Sequence, residues 1–221
     1  MLRKIFSTVL LATAILLTAC GNKLPESSAD KAVAAYAQLY SCGEISDEFR
    51  PAISLTDAEF AEARGKVTEP LLRALEQYPL SEETLQGITK KFLDRMKNIM
   101  DITATLEKGG DKNHPVVELV TTNINPDTVE LFVDEDDGLN ALKAKIAELK
   151  AQGITDDELK SNPEIQKLAL ETIGNFVGEF VLNAEATILV PCVAVTGADG
   201  KLYWQPENVE AIERYITTGQ H

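Results

Sequence analysis

The hydrophobic period of this chain switches between two values, and the order of the switches limits its fold more than any other feature. Ser27-Ser28-Ala29-Asp30 reads as a helix start, and Val33, Tyr36, Ala37 and Tyr40 then follow at helical spacing up to Gly43. Thr56-Asp57-Ala58-Glu59 is a capping box before Phe60, Ala63, Val67, Leu71, Leu75 and Tyr78, with Gly65 and Pro70 expected to kink or split the element. Ser81-Glu82-Glu83 opens a third helix through Leu85, Ile88, Phe92, Met96 and Ile99. The period then falls to 2: Ile102, Ala104 and Leu106 alternate with polar neighbours, and after a loop so do Val117, Leu119 and Thr121. Helical spacing returns at Leu139, Leu142, Ile146 and Leu149, and again behind Asn162-Pro163 through Ile165, Leu168, Ala169, Ile173, Phe176, Val177 and Phe180. Thr128 to Val133 fits either strand or helix. A second alternating run, Ala186 to Ala194, meets an Asp199-Gly200 turn before Leu202-Tyr203-Trp204, and a short helix over 207–217 closes the chain. Pro191 lacks the N–H that a ladder needs, so it is expected at a sheet edge or a bulge. The pattern predicts an α+β fold: a small antiparallel sheet from two hairpins, packed against an N-terminal helical section and a central helical insertion over 125–184.

The first residues read as an address. Arg3 and Lys4 precede a nearly apolar run from Ile5 to Leu17. Thirteen helical residues span roughly 20 Å, short of the ~30 Å hydrocarbon core, so the run suits a secretory signal over 1–19 better than a membrane span. It ends in Leu17-Thr18-Ala19-Cys20, which resembles the bacterial lipobox. That resemblance implies cleavage before Cys20, a diacylglycerol thioether on its sulfur, and a lipid-anchored place in the bacterial cell envelope outside the cytoplasm. Residues 20–27 are polar, carry Gly and Pro, and read as a tether ahead of a single domain over 28–221.

Charge narrows the partners. Thirty-five acidic residues against 21 basic ones give −14, and loss of the leader removes Arg3 and Lys4 and no acid, which makes −16. Such a surface repels phosphate, so no nucleic-acid partner is expected. The membrane, reached through the lipid, is the expected partner, together with a small apolar ligand or an envelope protein.

Two cysteines remain after the anchor. Cys42 and Cys192 are a disulfide candidate in an exported chain, and the loop of about 150 residues would contribute up to about 5 kcal/mol; the alternative is two buried thiols. His114 precedes Pro115 in a loop, His221 is terminal, and neither has the spacing of a zinc site or a triad. The acidic run Asp134-Glu135-Asp136-Asp137-Gly138 fails as an EF-hand loop, because glycine falls fifth instead of sixth and Lys145 takes the twelfth position. No cofactor, metal or catalytic set is expected.

Cys20, the helix Lys31 to Tyr40 and the closing Gly197-Ala198-Asp199-Gly200-Lys201-Leu202-Tyr203-Trp204 resemble uncharacterised bacterial lipoproteins with cystatin-like or nuclear-transport-factor-2-like domains. The likeness covers both ends of the mature chain and not 125–184. It implies a helix laid first across a sheet that ends on a hairpin, with Tyr36, Tyr40, Tyr203 and Trp204 as candidate pocket lining. The leading expectation is a non-catalytic, anchored binding module. The alternatives are an envelope enzyme using cavity carboxylates and tyrosines, or a helical scaffold docking another protein through an exposed Phe176 and Phe180.

Overall fold

Local signals start most of the helices. A computed structural model describes residues 24–122, 136–179 and 185–218. Helix α1 (Ala29–Cys42) follows an extended Ser28 whose side chain makes no capping bond, and it ends where the Gly43 N–H donates to the Leu39 carbonyl at 2.9 Å. Gly43 has φ +68°, the left-handed conformation that glycine adopts without a Cβ penalty. Helix α2 (Asp57–Leu75) carries the expected capping box: Thr56 Oγ1 accepts from the Glu59 N–H, and the Glu59 carboxylate accepts from the Thr56 N–H. Of the expected kink or split, the split does not occur: α2 runs unbroken through Gly65 and Pro70. Pro70 lies on the exposed side, where water can satisfy the carbonyl that its missing N–H leaves.

Helix α3 (Glu82–Ile99) starts at Ser81, α4 (Asp137–Ala151) at Asp136, α5 (Asp156–Lys160) at a second complete capping box on Thr155, and α6 (Pro163–Gly178) at Asn162. Asp136 and the 156–158 acids thus serve helix starts, as helix dipoles favour. Thr128 to Val133, Phe180 and Cys20 lie outside the described residues.

Strands β1 (Ile102–Leu106), β2 (Val116–Thr121), β3 (Ala186–Thr196) and β4 (Leu202–Pro206) form one antiparallel sheet in that order. Strand β3 divides its pairing: Ala186–Pro191 face β2, and Cys192–Thr196 face β4. Pro191 therefore sits at the handover between partners, where no described strand covers the β4 side of β3 and the expected sheet edge exists locally. Its carbonyl accepts from Glu207 N–H at 2.9 Å, while Cys192 N–H donates to Pro115 on the other side. A strand presents both polar groups of one residue to the same side, so the ring nitrogen falls just past the end of the β4 pairing. The turn before β4 needs glycine for space: a Cβ on Gly197 would stand 2.6 Å from Ser54 Oγ.

Two apolar cores result. Val117, Leu119, Val190, Cys192 and Trp204 project from one sheet face onto Val33 and Tyr36 of α1 and onto Ile212, Tyr215 and Ile216 of helix α7 (Val209–Thr218). The opposite sheet face meets solvent, with Leu189 57% exposed. The second core lies among α2 to α6 with the end of α1, and includes Cys42, Val67, Leu75, Phe92, Met96, Leu142, Leu159, Ile173 and Val177. Helices α4 to α6 fall between β2 and β3, strands that pair with each other, and α6 packs along α3. Met100, after α3, touches both cores.

Cys42 and Cys192 are free, buried thiols, and the candidate bridge is not formed. The reason is their placement. Cys42, at the end of α1, belongs to the helical core, and its Sγ lies 3.2 Å from the Gln38 carbonyl. Cys192 belongs to the sheet core.

Candidate functional site

The four aromatic residues expected to line one pocket are divided by the sheet. Tyr36 and Trp204 are buried in the sheet core, 6% and 5% exposed, and act mainly as packing. Burial pushes the Tyr36 phenol far above its ordinary range, which keeps it neutral. Tyr203, next to Trp204 in β4, points to the other face, and its hydroxyl donates to Asp199 Oδ2 at 2.8 Å. That bond, with the Lys201 N–H donating to Asp199 Oδ1, belongs to the β3–β4 turn; the two bonds hold the Asp199 carboxyl below its usual range.

Tyr40 lies one turn beyond Tyr36, half-buried, where α1 meets α2 and α7. An open cleft there, about 320 Å³, is lined by Lys66, Glu210, Glu213 and Arg214. The Lys66 ammonium donates to Glu213 Oε2 at 3.0 Å and is held above its usual range by that bond. Burial raises the Tyr40 phenol, the neighbouring Lys66 lowers it, and Glu213 raises it again. Here a tyrosine and carboxylates gather beside a cleft, as the enzyme reading needs. Glu213, however, is engaged by Lys66, so the arrangement is an ion pair that joins α2 to α7. Lys66 and Glu213 stand 147 positions apart, and no local pattern announces their meeting.

A second recess, also about 320 Å³, opens at the other end of α1. The segment Leu24–Ser28, leading into α1, forms one wall. Leu106 at the end of β1, Pro115 before β2, and Trp204 complete the apolar part, and Glu107, Asp111 and Lys112 lie around the rim. Leu24 and Leu106 are 42% and 41% exposed, two of the five large apolar side chains that the described residues leave open. Three sequence-distant segments thus leave apolar surface uncovered in one concave place. Of the aromatic candidates only Trp204 reaches it. Leu24, Leu106 and Pro115 were not singled out by the sequence, because periodicity assigns Leu106 to a strand interior and gives Leu24 no element at all.

The remaining candidates have structural employment. His114 is exposed, and its N–H donates to the Asp111 carbonyl at 3.1 Å within the β1–β2 loop. Phe176 is buried in the helical core, which removes one of the two exposed aromatics that the scaffold reading needs. Among the described residues no three His, Cys, Asp or Glu side chains stand together as a metal site, and no helix is long and apolar enough to cross a membrane.

Comparison with known proteins gives fold information. The fold is similar to that of "a putative lipoprotein (ycdA)" from Bacillus subtilis subsp. subtilis str. 168, known from a crystal structure. The TM-score is 0.54 at 15% identity, over 87% of this chain and 56% of that one. This chain therefore spans little more than half the length of that protein. No protein-family model and no curated protein matches the chain.

Proposed function

We propose that the chain is an exported protein held on a bacterial envelope membrane by lipid on Cys20, and that its body is a non-catalytic binding module. Support for the anchor comes from the Arg3-Lys4 leader, the apolar run and the Leu17-Thr18-Ala19-Cys20 junction. The fold likeness to a protein described as a lipoprotein agrees with it. A helix crossing a four-stranded antiparallel sheet supports the reading of the α1-and-sheet half as a cystatin-like or nuclear-transport-factor-2-like unit.

The observation that carries the binding reading is the recess of Leu24, Pro25, Leu106, Pro115 and Trp204. Its volume stands at the lower end of the range for small-molecule sites, and an apolar floor with a few polar groups at the rim suits a small apolar molecule with a polar end. Native mass spectrometry of the chain extracted from its own envelope tests this. A retained small mass, lost in Leu106→Asp, is the expected result. Folded protein that carries no added mass in either form counts against the module. Intact mass tests the anchor separately: acyl additions on the mature chain are expected, and they disappear in Cys20→Ser.

A further inference from the structure

We infer that the recess end of the molecule faces the bilayer at close range, with Leu24 and Leu106 directed at a neutral lipid surface and the helical core turned away. This rests on Cys20 as the attachment point. Sequence composition alone suggests a tether over all of residues 20–27. The structure shortens it, because Leu24–Ser28 form a wall of the recess and are part of the body. Only the link from Cys20 to Leu24 remains, and four residues of chain reach at most about 14 Å. The recess wall therefore lies within about 14 Å of the lipid-bearing residue.

Direction follows from α1. Its first residue, Ala29, also lines the recess, and its last, Cys42, is in the helical core. Fourteen helical residues place those ends about 20 Å apart, so the helical core begins about that far from the recess. Charge agrees with a close approach. The segments that build this end, 24–28 and 106–115, carry Lys108 and Lys112 against Glu26, Glu107 and Asp111. Nearly all of the −16 of the mature chain therefore lies elsewhere, and this end meets headgroups with little repulsion.

Trp204 is the chain's one tryptophan and lines the recess, so it reports the orientation without a label. The mature chain, lipidated or coupled through the Cys20 thiol to a maleimide lipid, is placed on phosphatidylcholine vesicles containing a dansyl-headgroup acceptor. Energy transfer from Trp204 is expected to be at least threefold greater than from Leu168→Trp, on the exposed side of α6, in a Trp204→Phe background. Equal or weaker transfer from Trp204 overturns the inference. Should Trp204→Phe fail to fold, fifteen Gly/Ser residues inserted between Lys23 and Leu24 are expected to halve the native Trp204 transfer, and unchanged transfer overturns it equally. Absence of acyl mass on native protein would sink the anchor reading alone, because the maleimide-coupled chain still reports the geometry.

Discussion

Cys192 shows how one side chain links packing to solution behaviour. It is fully buried beneath α1, and burial pushes its thiol up to about 12. The folded state therefore keeps a proton that the unfolded chain releases near its ordinary value of about 9. Stability from this group is complete below that value and is lost as pH rises from about 9 through 12. Burial raises Tyr36, Tyr40, Tyr78 and Tyr215 in the same direction, which steepens the loss at the alkaline end. Urea unfolding between pH 7 and 10.5 is expected to show falling stability above pH 9, with a shallower fall in Cys192→Val. Native protein is also expected to resist alkylation at Cys42 and Cys192 and to take up two additions once denatured, read by intact mass. A disulfide would give no additions without reductant.

The helix starts separate what pattern predicts from what geometry adds. Ser28 and Thr56 look alike in sequence, each a hydroxyl residue ahead of an acid. Only Thr56 makes capping bonds: its Oγ1 accepts from the Glu59 N–H, and the glutamate three positions on reaches back to the Thr56 N–H. Asp30, two positions after Ser28, is in a different geometry. Thr56→Ala is expected to cost about 1 kcal/mol in denaturant unfolding and Ser28→Ala close to none. Pro70→Ala restores a donor inside α2 and is expected to stabilise the chain, by up to about 3 kcal/mol. The elements themselves were legible because 3.6-residue and 2-residue spacing report which face is buried. Pro191 was legible as a residue at a sheet edge, but not as the handover: an edge strand and a strand that changes partners both spare one N–H, and a single sequence cannot tell them apart.

At the scale of the molecule, two cores share one chain. Leu142→Ala in the helical core and Val117→Ala in the sheet core each remove fully buried apolar volume. Each is expected to destabilise by about 1–5 kcal/mol, the leucine more, in urea unfolding followed by far-ultraviolet circular dichroism. The candidate site was the least legible part. Periodicity reveals which residues turn inward, but the recess brings the open Leu24 and Leu106 beside the buried Pro115 and Trp204 where three segments meet, and Lys66–Glu213 joins helices from opposite ends of the chain.

The divided pairing of β3 sets an order of assembly. Hairpin β1–β2 can form early, yet one edge of β2 has no partner until residues 186–191 arrive, more than sixty positions later. An unpaired edge invites pairing with other chains. A chain cut off before β3 thus retains a complete set of α3–α6 helices beside an open strand, and its expected fate is aggregation. The helical core precedes β3 in the chain, whereas about the last sixth of the chain completes the sheet.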